Sequence, residues 1–525
     1  MVYKKLAAAI LAATVGACAQ IDSAPQSADT ALHSETDSGN TETAAVSSIR
    51  QNILDDTEAA LPPTDIWQRL RQGFSLDREL QRPKVREYVN YFSTNQGYMA
   101  RVTERSRRYI FHVAEQLEQA NIPMEFALLP IVESAYDPFA YSHAQASGMW
   151  QFIPATGRSF GLHQNWWYDG RRDVVESTRA ASEYFNYLAA KFDGDWLLVL
   201  AAYNAGEGTV RRAIERNRRS GKGTSFWDLK LPRETRSYVP QLLALAEIVT
   251  YPERYQVPLH NVGNDPYYTA VNVGSQIDLA QAAELAGVEI EELYLLNPGY
   301  NRWATDPNGN HRLLIPSDKA TRFLAELDKL PTDQRVTWQR YKVARGDSLS
   351  VIARRYETTV AAIQQTNKLR NSGIRAGQTL LIPSASGPSA QYAYSIDQRV
   401  QRRQSAGSGQ KSSYTVRPGD TLWGIARSMN VKVRELASWN NMAPGDTLRP
   451  GQTLVAYSDS GSSNSQNRTT RKLSYRVRSG DSLYRIARKY SIDIGDILRW
   501  NKLSRGSYLQ PGQRLTLFVD SASSG

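Results

Sequence analysis

One cysteine, Cys18, stands in 525 residues, so no disulfide can form within the chain. The six histidines never fall at metal-ligand spacing, and no glycine-rich phosphate loop occurs, so no metal or other cofactor is expected. Long apolar runs are missing too. Only Leu6–Ala17 comes near, and it is too short to cross a bilayer as a mature helix. Acidic residues are the minority charge, 52 against 63 Lys and Arg, for a net charge of +11. That balance would suit nucleic acid, but no recognition helix, zinc spacing or aromatic RNA platform accompanies it. Nucleic acid is therefore not an expected partner.

The first 20 residues place Lys4 and Lys5 before the short apolar run, the pattern of a secretory signal over residues 1–17. Val15-Gly16-Ala17-Cys18 looks like a bacterial lipobox, which implies a lipid on Cys18 and membrane attachment. Several acyl chains on one cysteine anchor stably, since each buried methylene contributes about 0.8 kcal/mol. Ala19, rather than aspartate, implies by the same likeness an outer-membrane lipoprotein facing the periplasm of a Gram-negative cell. Residues 18–62 are mostly small and polar and read as a flexible tether. For an exported basic protein, an anionic wall polymer bearing peptide carboxylates fits the charge better than nucleic acid does.

From Pro63 to about Pro258, apolar residues recur at helical spacing and few alternating runs interrupt them. A mainly α domain is expected over residues 63–258, long enough for one sizeable core. Within it, one helix is expected between Pro123 and Pro138. Phe126, Leu129 and Pro130 share a face with Glu133, so this carboxylate lies along an apolar stripe near a helix C-terminus. Burial and the dipole would both raise its pKa and favour a general acid. A glutamate at the stripe's edge, paired to an arginine, fits the same pattern.

Four short motifs follow one another: Glu133-Ser134, Ser147-Gly148-Met149-Trp150-Gln151, Ala202-Tyr203-Asn204-Ala205-Gly206, and Glu234-Thr235 with Tyr238-Val239. In that order they resemble the family 1 lytic transglycosylases, whose catalytic domain is similar to goose-type lysozyme. The family's usual Gly-Leu-Met-Gln is here Gly-Met-Trp-Gln. The resemblance implies Glu133 as catalytic acid and base, with Ser134, Ser147, Gly148, Trp150, Gln151, Tyr203, Asn204 and Tyr238 binding substrate. Core packing is the ordinary use of an aromatic, but Trp150 and Tyr203 lie inside the motifs and are expected in the cleft.

Three segments then repeat. Tyr341 to Leu349, Tyr414 to Leu422 and Tyr475 to Leu483 share Tyr-x-Val and Gly-Asp-Ser/Thr-Leu, and each repeat later carries an Asn and a Gly-Gln pair. Each reads as βααβ: a strand, a Gly-Asp turn, a capped helix, a second helix and a closing strand. This order is similar to the LysM module, which implies binding to N-acetylglucosamine chains. The expected site residues are Gly346, Asp347, Ser348 and Asn367 in residues 341–384. Their counterparts are Gly419, Asp420, Thr421 and Asn440 in 414–457, and Gly480, Asp481, Ser482 and Asn501 in 475–519. Residues 267–316 look like a degenerate fourth copy, better suited to packing than to sugar. The stretches 385–413 and 458–474 are rich in Ser, Gly, Gln and Asn and read as flexible linkers, with Arg399, Arg402 and Arg403 a solvated cluster in the first.

The chain is thus expected to be multidomain, a mainly α lysozyme-like catalytic domain followed by small α+β modules. Glycosidases ordinarily use two carboxylates. Asp137, Asp169 and Asp173 are the nearest seconds in sequence, and nothing singles one out. The resemblance implies that one glutamate suffices, because the muramic acid C6 hydroxyl is the nucleophile and peptidoglycan glycan strands are the partner. A hydrolytic muramidase using one of those aspartates, and a wall-binding scaffold without activity, are the other readings.

Overall fold

The computed structural model describes residues 63–356, 358–458, 470–478, 481–490, 492, 494–501, 503 and 509–520. The leader, Cys18, the tether, Gly480 and residues 459–469 of the second linker lie outside the described residues.

The N-terminal half is helical: α1 (Ile66–Gln72), α2 (Pro83–Thr94), α3 (Gln96–Ser106), α4 (Ile110–Gln119), α5 (Leu129–Ser134), α6 (Pro154–Ser159), α7 (Val174–Lys191), α8 (Trp196–Ala205), α9 (Glu207–Arg219) and α10 (Arg233–Thr250). Local chemistry sets many of the ends. Asp65, Asp173 and Asp195 cap α1, α7 and α8 by accepting from backbone N–H groups of the first turn. The centre of the domain is α10, whose Leu242, Leu243, Leu245 and Ile248 are fully buried. Each such side chain contributes about 2 kcal/mol of transfer free energy.

The single helix expected between Pro123 and Pro138 is two pieces. A 3-10 turn, Met124–Leu128, precedes α5, and Pro130 in the first turn of α5 marks the break. The helix then stops at Ser134 because Ala135 is left-handed, with φ 53°. Glu133 is thereby left on the last turn, where the chain turns away into the loop that carries Ser147 to Gln151.

Among the described residues, four two-stranded antiparallel modules follow. The first contains β1 (Tyr268–Asn272), α11 (Leu279–Ala286), α12 (Ile290–Leu296) and β2 (Arg312–Pro316), with α13 (Ala320–Lys329) behind it. The second has β3 (Thr337–Lys342), α14 (Leu349–Arg355), α15 (Val360–Thr366) and β4 (Thr379–Ser384). After α16 (Ile396–Ser405) comes the third, with β5 (Gln410–Thr415), α17 (Leu422–Ser428), α18 (Val433–Trp439) and β6 (Thr453–Ser458). The fourth has β7 (Thr470–Arg476), α19 (Leu483–Tyr490), α20 (Ile494–Trp500) and β8 (Arg514–Asp520). The strands start a few residues before the repeated Tyr-x-Val, because the register extends back along the pair to Thr337, Gln410 and Thr470.

The first module is built into the helical domain. Arg312 pairs with Asp173 at 2.7 Å and Glu176 at 3.1 Å, Arg108 pairs with Glu292 at 2.7 Å, and Tyr109 donates to the Leu295 carbonyl at 2.9 Å. Its Asn297 donates to the Leu293 and Leu314 carbonyls, the same bonding that Asn367, Asn440 and Asn501 make despite the shifted spacing.

The stretch 385–413 is not the flexible linker its composition suggests. Tyr392 is buried and donates to Asp278 at about 3 Å, and Ser395 caps α16. Arg399 is no solvated side chain either. It is 9% exposed, lies 4.9 Å over the Phe139 ring, and donates to the Tyr394 carbonyl at 3.1 Å. Arg402 lies 5.1 Å over Tyr394. Two tyrosines and the arginine stems supply the apolar surface that average composition hides. The third module also touches the catalytic half: Asp446 accepts from Tyr141 at 3.0 Å and from Gln145 at 2.6 Å.

Candidate active site

Glu133 is half-buried on the last turn of α5, and its Oε1 accepts a short hydrogen bond from the Tyr238 hydroxyl of α10. Desolvation raises its pKa from 4.5 to about 7; the Tyr238 bond pulls the other way, and the charge of Glu234 adds to the rise. A carboxyl poised there holds a proton near neutrality and can also give it up, which is what an acid that later serves as base requires. The edge-of-stripe ion pair fails as a reading: among the described residues no cation pairs with Glu133, and its partner is a phenol.

Tyr203 and Asn204 sit on the last turn of α8, ended by Gly206 at φ 82°. The Tyr203 hydroxyl donates to the Trp150 carbonyl at 2.7 Å, and burial together with the neighbouring Glu133 charge raises its pKa well above 10. Asn204 Oδ1 accepts from Thr235 at 2.7 Å, which ties the end of α8 to the start of α10. Ser134 donates to the Met149 carbonyl at 3.0 Å, and Gln151 to the Gly148 carbonyl at 2.8 Å. Thus Glu133, Ser134, Gln151, Tyr203, Asn204 and Tyr238 are brought together.

Three other expected substrate contacts are not at a surface. Trp150 is fully buried, with its indole N–H donating to Thr178 at 3.1 Å. It fills the core beside Phe185, 5.7 Å between ring centres, and only its carbonyl serves the site, through Tyr203. Ser147 is 1% exposed and its backbone bridges to Phe152. Gly148 has φ +84°, and a Cβ there would stand 2.1 Å from the Arg171 carbonyl oxygen. Its motif position records a backbone constraint and not a ligand contact.

The candidate second carboxylates are all engaged elsewhere. Asp137 accepts from the Phe139 N–H at 2.9 Å, closing the turn after α5. Asp169 is buried; burial alone would raise its pKa, but Arg172 and Arg171 hold it below 3.8, with Arg171 at 2.8 Å. Asp173 caps α7 and pairs with Arg312. Glu234 and Thr235 belong to the fourth motif but gain their roles only in the structure, one as a charge felt by Glu133 and the other as the donor to Asn204. Their i, i+4 and i, i+3 spacing to Tyr238 on one helix is the signal in the sequence.

In the repeats, the shared residues build the fold. Tyr341, Tyr414 and Tyr475 donate to Asp347, Asp420 and Asp481 at 2.6, 2.9 and 2.6 Å, and each aspartate also accepts a turn N–H. Ser348 and Thr421 cap α14 and α17, and Ser482 accepts from the Arg485 N–H at 3.2 Å. Gly346 and Gly419 have φ of +91° and +86° with nothing near a Cβ, as the turn demands. Asn367, Asn440 and Asn501 each lock a helix end to the closing strand. Asn440, 2% exposed, donates to Leu436 and Val455 carbonyls and accepts from the Val455 N–H, all within 2.8 Å. Its amide is fully used and cannot contact a sugar.

Residues 111–226 match the transglycosylase SLT domain, residues 267–332 the LysM-like domain of lytic transglycosylase MltD, and residues 341–383, 414–456 and 475–518 the LysM domain. An autolysin of Enterococcus faecalis (strain ATCC 700802 / V583) is 33% identical over 35% of this chain and 25% of its own. Among solved structures, the 70 kDa soluble lytic transglycosylase of Escherichia coli aligns at 22% identity, over 40% of this chain and 35% of that one, with a TM-score of 0.24. The membrane-bound lytic murein transglycosylase D of Escherichia coli (strain K12) is 35% identical over 470 residues, 89% of this chain and 88% of the relative. With its catalytic domain, its degenerate module and its three repeats all matched, the chain belongs to the membrane-bound lytic murein transglycosylase D family.

Proposed function

We propose that the enzyme cuts the MurNAc-β-1,4-GlcNAc bond of peptidoglycan with Glu133 as its sole acid and base. The observation that carries this reading is one desolvated glutamate, protonated near neutrality, with Asp137, Asp169 and Asp173, the three candidate second carboxylates, engaged elsewhere. Glu133 gives its proton to the glycosidic oxygen as the C1–O bond breaks, and GlcNAc leaves as the alcohol. The carboxylate then takes the proton of the MurNAc C6 hydroxyl while that oxygen bonds to C1, leaving a 1,6-anhydro end. No water is consumed. An internal nucleophile gains from high effective molarity, so a second carboxylate is unnecessary. Tyr238 steadies Glu133 in its charged form, and Ser134, Gln151, Tyr203 and Asn204 orient the sugar.

The LysM modules hold glycan through the backbone of the loops after the Gly-Asp turns, their Asp, Ser/Thr and Asn side chains being spent on the fold. The protein is exported, lipidated at Cys18 and held at the outer membrane, a reading supported by the lipobox-like sequence and by the relative described as membrane-bound. The test is digestion of purified sacculi by Glu133→Gln. General acid–base catalysis supplies roughly 10²–10⁴-fold, so release of soluble fragments should fall by at least that much. Turnover within a few-fold of the unaltered protein would move the acid elsewhere.

A further inference from the structure

Helix α10 carries a second feature one face round from the catalytic residues. Arg233, Arg236 and Ser237, at i, i+3 and i+4, line a cavity of about 370 Å³ with Phe226, Trp227 and Leu229 and the side chain of Lys84. Phe226 and Leu229 are buried and make its apolar floor. Trp227 is fixed in place, its N–H donating to Glu79 at 2.9 Å and its ring covered by Arg82 at 4.7 Å. The cations differ in their freedom. Lys84 pairs with Glu87 at 2.6 Å, whereas Arg233 and Arg236 have no ion-pair partner among the described residues.

Two unpaired guanidiniums over an aromatic and aliphatic floor suit a ligand with carboxylates on short alkyl groups. We propose that this cavity receives the carboxylate-bearing peptide stem of the strand being cut. The proposal rests on the peptidoglycan reading above and extends it to a part of the substrate the catalytic residues do not touch. Reach supports it. Glu234, Thr235 and Tyr238 lie within the same two turns of α10 as Arg233, Arg236 and Ser237, so the cavity and the catalytic glutamate's partner share one short stretch of helix. An extended peptide of about four residues spans ~13 Å. A stem branching from the sugar held at Glu133 can therefore run round the helix to Arg233 and Arg236.

The test compares soluble glycan chains that keep their stems with the same chains stripped by an amidase. With the unaltered full chain, the stem-bearing substrate should show a KM about tenfold lower, the worth of one charge-assisted contact in water. The double variant Arg233→Ala/Arg236→Ala should raise KM for the stem-bearing chains to that of the stripped ones. Its kcat should hold, and its activity on stripped chains should be unchanged. Both arginines are exposed, so the variant should keep its melting temperature. Equal KM for the two substrates in the unaltered chain, or an equal loss on both in the double variant, overturns the stem site. Failure to form anhydro ends on either substrate would instead overturn the catalytic reading.

Discussion

The hydroxyl of Tyr238 donates to Oε1 of Glu133 across the 105 residues that separate them, joining the last turn of α5 to the second turn of α10. The bond opposes desolvation: burial raises the glutamate's pKa, and the phenol stabilises the carboxylate and lowers it. The pKa of Glu133 is thereby held at about 7. Without the phenol it would sit higher.

Tyr238→Phe removes that opposition without emptying the site. With Glu133 as the proposed acid, the alkaline limb of the pH–rate profile should report loss of its proton and fall near pH 7 in the unaltered enzyme. In the phenylalanine variant it should move to higher pH, with a lower rate on the plateau because the carboxylate formed during the reaction loses its donor. An alkaline limb that stays in place would separate the titrating group from Tyr238.

Glu133 should also cost stability in a defined pH window. Its pKa is 4.5 in the unfolded chain and about 7 when folded, so the folded chain holds the proton more tightly. Below pH 4.5 the group is neutral in both states and no penalty exists. As pH rises from 4.5 to about 7 the unfolded chain gives up the proton that the folded chain still holds, so stability falls across that window and levels off above it. Glu133→Gln does not titrate. It should melt with the unaltered protein at about pH 3 and a few °C higher at about pH 8. A difference of the same size at both pH values would mean that the carboxyl is not desolvated.

The docked stretch 385–413 makes its own forecast. Arg399→Ala uncovers Phe139 and removes a buried guanidinium that holds α16 down. Limited proteolysis should then cut within 385–413 at least tenfold faster, while the helical domain resists as before. Unchanged cleavage kinetics would show that the tyrosines alone hold the segment.

Much of the molecule is legible in the sequence because it follows from local pattern. The helical domain and the βααβ order of the repeats rest on periodicity, capping residues and turn glycines, whereas the four motifs and the degenerate copy are legible only through resemblance. Glu133 is legible as a charge on an apolar stripe, a pattern that fits an ion-paired edge residue equally well, and the resemblance is what singles it out as the acid. The role of a motif residue is less so. A constraint on the backbone at Gly148 and a core indole at Trp150 leave the same mark in sequence as a ligand contact, and only burial separates them. Asn440 and its counterparts mislead similarly, since a recurring polar residue suits a locked strand as well as a sugar site. The stretch 385–413 is hidden by averaging: its serines and glutamines outvote Tyr392, Tyr394 and Arg399, which carry the packing.

The central claim is that one glutamate, with the sugar's own hydroxyl, does the work of two carboxylates and a water. Mass spectrometry of the glycan ends released from purified sacculi tests it most directly. The expected products are 1,6-anhydro-MurNAc ends, lighter than reducing ends by one water, at every new terminus and absent with Glu133→Gln. Reducing MurNAc ends that take up the oxygen of labelled water would contradict it, and would require a second base that activates water.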